Sequence, residues 1–147
     1  MKNDVRDLLL GGTIASIKML LTIPYSIQSI TESIPNDHSL HSVQIDLIGE
    51  CNGAILIQGE TTVYSYIGEG MFGMPITGEL LESFIGEFAN MLTGNLATSL
   101  SNNGLMTDIS PPKFLSDLQI EHYEQHVTIP IVINDRGHLA ISLLLLN

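Results

Sequence analysis

ESFIGEFANMLTGN, from Glu82 to Asn95, lies inside a proline-free run that extends from Gly78 to about Leu100. On a helix, which turns by about 100° per residue, the large apolar side chains of this run fall within one broad arc. The members of the arc are Leu81, Phe84, Ile85, Phe88, Met91, Leu92 and Leu96. This pattern predicts a long helix that packs one face against a hydrophobic core.

The opposite side of this helix carries five residues that fall within about 80° of one another. They are Ser83, Glu87, Asn90, Gly94 and Ala97. A carboxylate and a carboxamide one turn apart, on Glu87 and Asn90, are therefore predicted to point together into solvent. Gly94 lowers helix stability by about 1 kcal/mol relative to alanine. Because Gly94 and Ala97 have small side chains, another molecule could lie close to this face. The alternative is an ordinary solvated face, because Glu and Asn occur at this spacing on many helices by chance.

An earlier helix is predicted over residues 4–22, where apolar side chains recur at threes and fours until Pro24 ends the pattern. A targeting segment over residues 8–23 is the alternative. Lys18 interrupts that stretch, its apolar length is below the ~18–20 residues that span a bilayer, and no small-residue cleavage site follows. We therefore expect a buried amphipathic helix in a cytoplasmic protein, without membrane insertion.

Strand patterns lie on both sides of the long helix. Before it, residues 43–49 and 54–59 alternate loosely in polarity around Asn52-Gly53, which is a strong hairpin signal. A short helix is then predicted over residues 61–71.

After the long helix, Pro111 and Pro112 suit an edge strand or an irregular extended segment, because proline cannot donate to a strand ladder. Two longer strands are predicted over residues 123–133 and 138–146. The second is nearly all apolar, so we expect it to be buried on both faces or to lie at a subunit contact.

Composition restricts the possible partners. Sixteen acidic and five basic residues give a net charge of −11, which opposes binding to nucleic acid, since phosphates are recognised there through cationic side chains. The one cysteine, Cys51, excludes an internal disulfide and fits a reducing compartment. The length predicts one domain over residues 1–147.

Two histidine pairs are candidate metal ligands: His38 and His41, and His122 and His126 near Glu121 and Glu124. Residues four apart on a strand lie about 13 Å apart, too far to share one ion. A helix would bring the second pair together, but the alternation of Ile129, Ile131 and Ile133 favours a strand. We therefore predict surface histidines and no metal site.

The segment from Glu82 to Asn95 resembles the signature of the CheX/CheC family of chemotaxis response-regulator phosphatases. That signature is Asp or Ser, three residues, Glu, two residues, Asn, and a proline further along the chain. Ser83, Glu87 and Asn90 fit the first three positions, Pro111 or Pro112 fits the last, and Gly94-Asn95 is also typical. The first helix has no second Glu-x-x-Asn, as CheC-like members usually have, so the chain resembles the CheX branch.

The resemblance implies an α/β fold of two layers, with helices packed on a largely antiparallel sheet. It also implies hydrolysis of the aspartyl phosphate of a CheY-like receiver domain. In that reaction Asn90 orients the attacking water and Glu87 pairs with the receiver's active-site lysine. The receiver supplies the Mg²⁺, so the chain needs no cofactor of its own.

Further expectations from the resemblance concern partners. The residues expected to dock the receiver are Ser83, Gly94, Ala97, Pro111 and Pro112, and a homodimer joined through strand edges is also expected. Two alternatives remain open: a non-catalytic module that binds a receiver or flagellar-switch component, and a structural dimerisation domain. Intact Glu87 and Asn90 favour the phosphatase, because only the chemistry requires both.

Overall fold

A computed structural model describes residues 2–146, in which three helices lie on one face of a seven-stranded antiparallel sheet. The helices are α1 (Lys2–Leu20), α2 (Thr61–Phe72) and α3 (Glu79–Asn102). The strands are β1 (Tyr25–Ile27), β2 (His41–Gly49), β3 (Gly53–Gly59), β4 (Thr107–Ile109), β5 (Lys113–Leu115), β6 (Gln125–Ile133) and β7 (Gly137–Leu145). The fold predicted from the sequence, helices on a largely antiparallel sheet, is confirmed.

The strand order is β1-β6-β7-β3-β2-β4, and β5 also pairs with β2. The predicted hairpin β2–β3 is present, and the two longer predicted strands are β6 and β7, which pair as a second hairpin. The apolar strand β7 lies in the middle, paired with β3 on one side and with β6 on the other. Its hydrogen-bonding edges are therefore occupied, and it cannot provide the strand edge for a homodimer.

Both faces of β7 are buried. Of the two expectations for this apolar strand, burial on both faces or a subunit contact, the first is confirmed. The helices cover one face, where Leu139, Ile141 and Leu143 belong to the main core. On the other face, Leu144 packs with Ala54 and Leu56 beneath side chains from the long connecting segments. Those side chains are Ile34, Leu115, Leu118, Ile120 and Tyr123. The sheet thus has helices on one face and connecting segments on the other.

The β2–β3 turn uses the Asn52-Gly53 pair differently from the expected hairpin turn. The Asn52 side chain closes the loop, since its Oδ1 accepts from the Gly49 N–H at 3.1 Å and its Nδ2 donates to the Gly49 carbonyl at 2.9 Å. Gly53 is already the first residue of β3. A Cβ on Gly53 would lie 2.1 Å from the Leu144 carbonyl oxygen, so close strand approach requires the glycine.

Helix α1 forms the predicted buried helix and covers one flank of α3. Gly12 permits this contact, because a Cβ there would lie 2.8 Å from Cδ1 of Leu96. The Ser16 hydroxyl donates to the Leu92 carbonyl at 2.8 Å and so satisfies a buried polar group. None of the helices within residues 2–146 combines the length and apolar character that crossing a bilayer requires.

The two prolines lie between β4 and β5, two short strands that both pair with β2 at the edge of the sheet. The predicted edge position is confirmed. Val43 of β2 is opposite Phe114, and Gln44 is opposite Lys113. Because neighbouring side chains on a strand point to opposite faces, β5 directs Phe114 toward the helices and Lys113 away from them.

An ion pair fastens β5 on the face away from the helices, where Lys113 Nζ lies 2.5 Å from Asp46 Oδ2. Gln44 Nε2 donates to the other oxygen of Asp46 at 3.0 Å. Partial burial opposes ionisation of Asp46, but the hydrogen bonds from Lys113 and Gln44 outweigh it and lower the pKa of this carboxyl below 3.8. The pair therefore stabilises the fold where Asp46 is ionised.

Lys113→Met should lower the free energy of unfolding by about 0.2–1 kcal/mol near neutral pH, because the ion pair is partly exposed. A lowered native-state pKa contributes stability above the unfolded-state pKa, and this contribution is lost as pH falls through the native value. The difference between wild type and variant in urea titrations should therefore shrink as pH falls through the lowered native pKa of Asp46 and vanish once its carboxyl is protonated in both states. Lys18→Met, at an exposed lysine of α1, is the control; an equal effect of both substitutions would contradict the role of the pair.

Candidate functional site

The outward face of α3 brings together the five residues predicted from its sequence. Ser83 and Glu87 are exposed, whereas Asn90, Gly94 and Ala97 are half-buried. The opposite face is buried as predicted, including Phe84, Phe88, Leu92 and Leu96. The helix therefore presents a carboxylate and a carboxamide from a surface that the core holds rigidly.

Glu87 and Asn90 have unoccupied hydrogen-bonding groups. Within residues 2–146, neither side chain makes a hydrogen bond or ion pair with another group of the chain. Ser83 does not bond to Glu87 either, so its hydroxyl does not orient that carboxylate. Polar groups held on a packed helix and left free of internal partners are available to an external one.

A shallow depression lies alongside these residues, between α3 and the segment that leads into β5. Its lining is Glu79, Glu82, Ser83, Gly86, Glu87, Pro112 and Phe114. A Cβ on Gly86 would lie 3.8 Å from Phe114 Cζ and 3.9 Å from Pro112 Cγ, so β5 forms the second wall. Pro112 thus lies at the predicted site, whereas Pro111 is exposed and outside this lining.

The depression is anionic. Glu79, Glu82 and Glu87 line it, and its lining contains no lysine, arginine or histidine. The neighbouring Lys113 is directed to Asp46 on the other face of the sheet. In the described part of the chain, no group of three histidine, cysteine or carboxylate side chains could hold a metal ion. The depression therefore suits a cationic group of a binding partner.

The free groups limit the chemistry that the site can perform. A carboxamide accepts one hydrogen bond through its oxygen and donates others through its nitrogen, so Asn90 can hold a water against an acceptor group. A carboxylate such as Glu87 binds a cation and repels an anion. The arrangement therefore suits the positioning of a water on a partner that carries its own cations.

Sequence reasoning missed Gly86, Phe114 and the two carboxylates Glu79 and Glu82. Gly86 is on the predicted helix, but only the adjacent strand shows that it faces Pro112 and Phe114. Phe114 is two residues after Pro112, and a period of two would have placed both on one face had this segment been read as a regular strand. The contact with α3 depends on the long-range pairing of β5 with β2.

The antiparallel sheet and its single helical layer form the fold of CheC-like proteins. A CheC-like superfamily protein from Shewanella sp. PV-4 has this fold, with a TM-score of 0.81 over 100% of both chains at 21% identity. A chain of the CheX-CheY-BeF3-Mg²⁺ complex from Borrelia burgdorferi matches with a TM-score of 0.78, over 96% of this chain and 97% of that one, at 16% identity. At these identities the likeness shows the fold.

Sequence comparison shows the family. The profile of the chemotaxis phosphatase CheX family matches residues 41–141. The CheY-P phosphatase CheX of Thermotoga maritima is 33% identical over a 130-residue alignment; the match covers 84% of this chain and 83% of that protein. The chain belongs to the CheX family, as the signature in α3 indicated.

Proposed function

We propose that this chain is a phosphatase that hydrolyses the aspartyl phosphate of a CheY-like receiver domain. The observation that carries the proposal is the pair of unpartnered side chains, Glu87 and Asn90, on the outward face of α3. Membership of the CheX family supports it, as does the phosphatase activity named for the Thermotoga relative. The Borrelia complex supports a receiver as the partner, since BeF3 is a stand-in for a phosphoryl group.

Asn90 is proposed to orient the attacking water. Hydrolysis of an acyl phosphate proceeds by in-line attack, for which catalysis depends mainly on positioning and charge stabilisation. The Asn90 oxygen accepts a hydrogen bond from the water, and its amide nitrogen donates to a phosphoryl oxygen. The bond between phosphorus and the aspartyl oxygen breaks, which releases inorganic phosphate and the free carboxylate.

Glu87 is proposed to pair with the receiver's active-site lysine. The alternative role of general base would place the Glu87 carboxylate beside the phosphoryl group, which would repel it unless a cation lay between them. An ion pair with a lysine avoids this repulsion. The receiver's own acidic cluster would hold the Mg²⁺, which the chain needs from its substrate. The predicted docking residues would then contact the receiver around these two side chains, with Ser83, Gly94 and Ala97 on α3 and Pro111 and Pro112 on the facing segment.

Two further parts of the proposal follow from the family resemblance. A receiver substrate places the chain in the cytoplasm. A homodimer joined through strand edges would use β1, because β7 is paired on both sides and the β4–β5 edge borders the face of α3 proposed to bind the receiver. This leaves the outward face of α3 free for the receiver.

The test is the decay of radiolabelled phosphate on a Mg²⁺-loaded CheY-type receiver, with and without the chain. We expect accelerated decay that stops when Mg²⁺ is chelated. Acetyl phosphate in place of the receiver should not be turned over, because it brings neither the lysine nor the metal site. Binding to a BeF3-loaded receiver without faster decay would favour the binding module, and no binding to any cognate receiver would favour the dimerisation domain.

Gly94 offers a test of close approach on this face. A Cβ there meets nothing within 4 Å, so Gly94→Ala should raise the free energy of unfolding by up to about 1 kcal/mol. Gly11 in α1 is a matched control, since a Cβ there also meets nothing within 4 Å. Both substitutions should stabilise the protein in urea titrations, but only Gly94→Ala should weaken receiver binding. Equal binding by the two variants would contradict close contact at Gly94.

A further inference from the structure

An aromatic ring is exposed beside the proposed catalytic residues. Phe114 is 45% exposed, although its ring lies against Gly86 of α3. It shares the lining of the depression with Glu87 and with Pro112. Large exposed aromatic side chains on rigid elements are characteristic of interface anchors, because they bury much apolar area at low cost in conformational entropy.

The position of this ring is fixed from the other face of the sheet. Ladder pairing holds β5 to β2 through Ser42–Leu115 and Gln44–Lys113. The ion pair of Lys113 with Asp46 fastens the same strand. The backbone that carries the ring is therefore held in place before a partner binds.

We propose that Phe114 and Pro112 form an apolar anchor for the receiver, and that Glu79 and Glu82 form an acidic rim around it. This inference rests on the proposed function and adds a specificity surface to it. The receiver face that fits has an apolar side chain over Phe114, with lysine or arginine residues opposite the two rim carboxylates. These groups are additional to the active-site lysine that pairs with Glu87.

Continuity with Glu87 identifies the receiver as the occupant of this surface. Glu87 and Phe114 line one depression, so a partner that presents a lysine to Glu87 also covers Phe114. The rim adds charge complementarity, because its carboxylates favour a cationic protein surface and repel nucleic acid or an anionic membrane. The same body thus contacts the catalytic face and the anchor.

The first experiment compares receiver dephosphorylation by wild type and Phe114→Ala. We expect KM to rise about tenfold or more while kcat stays within about twofold, because Glu87 and Asn90 are unchanged. Phe114→Leu should recover part of the affinity, since it restores apolar bulk. Ile48→Ala is the matched control, because Ile48 is 54% exposed on β2 and does not line the depression.

The results that overturn the anchor are distinct from those that overturn the phosphatase. An unchanged KM for Phe114→Ala, or the same rise for Ile48→Ala, overturns the anchor even if wild type is active. Inactive wild type overturns the proposed function, and binding of each variant to a BeF3-loaded receiver then decides the anchor independently. A thermal melt of each variant separates lost contact from lost folding.

The acidic rim has its own readout. The double variant Glu79→Gln/Glu82→Gln should lower kcat/KM at low ionic strength and make it less dependent on salt, because rim charges steer association. Glu60→Gln/Glu69→Gln makes the same change in net charge at exposed residues outside the depression. An equal loss of salt dependence in both variants would show that only net charge matters and would overturn the rim.

Discussion

Asn90→Ala should reduce receiver dephosphorylation by about 10²-fold or more while leaving folding and receiver binding intact. The substitution removes both the oxygen that holds the water and the nitrogen that donates to the phosphoryl group. It removes no hydrogen bond or ion pair of the fold, because the Asn90 side chain makes none within residues 2–146. The measurement is the single-turnover decay of phosphorylated receiver in the presence of a saturating concentration of this protein. Under that condition the rate reports turnover and does not depend on binding affinity.

Asn95→Ala is the control for this prediction. It is the same chemical change on the same helix, but Asn95 faces α1, with its Nδ2 3.5 Å from Met19 Sδ. We expect it to retain near wild-type turnover. Asn90→Ala with undiminished decay would remove the water-positioning role, and a parallel loss of binding to BeF3-loaded receiver would assign Asn90 to docking.

Glu87→Ala should weaken docking as well as turnover, with a loss in kcat/KM of about 10- to 10²-fold. The reason is that the receiver's lysine would be buried against α3 without its counter-charge. Since Glu87 is exposed and unpaired in the free chain, the fold should retain its stability. Receiver binding and dephosphorylation measured across ionic strength should show a smaller salt dependence than wild type.

Glu69→Gln controls for loss of a negative charge, because Glu69 is exposed on α2 and outside the depression. Glu87→Gln keeps the shape of the side chain and should lose most of what Glu87→Ala loses. Full activity of Glu87→Gln would show that shape matters more than charge, and the pairing with a lysine would then be wrong.

Predictions about the long helix succeeded because they depend on local geometry. A helix sets the angle between Glu87 and Asn90 whatever surrounds it, and an apolar arc on one side requires the other side to face outward. Strands β6 and β7 could also be predicted locally, because a short turn joins them. Asn134 and Asp135 in this turn tolerate the positive φ that the turn requires. The family signature then gave the polar pair its expected chemistry.

The interpretation of single residues was less reliable where a distant segment decides their role. Asn52-Gly53 correctly indicated a hairpin, but Gly53 is required by the Leu144 carbonyl of a neighbouring strand. The apolar strand β7 was consistent with burial or with a subunit contact, and only its central place in the sheet decided between them. In both cases, contacts with residues far away in the chain determine the role.

By itself, the sequence determined the helices, the hairpins and the shared face of Glu87 and Asn90, because short-range periodicity and turn chemistry specify them. Only the tertiary structure decided what lies beside that face. Strand β5 reaches α3 through pairing with β2, many residues away in the chain, and this pairing brings Phe114 against Gly86. Long-range strand order depends on the packing of the whole core, which no local pattern contains.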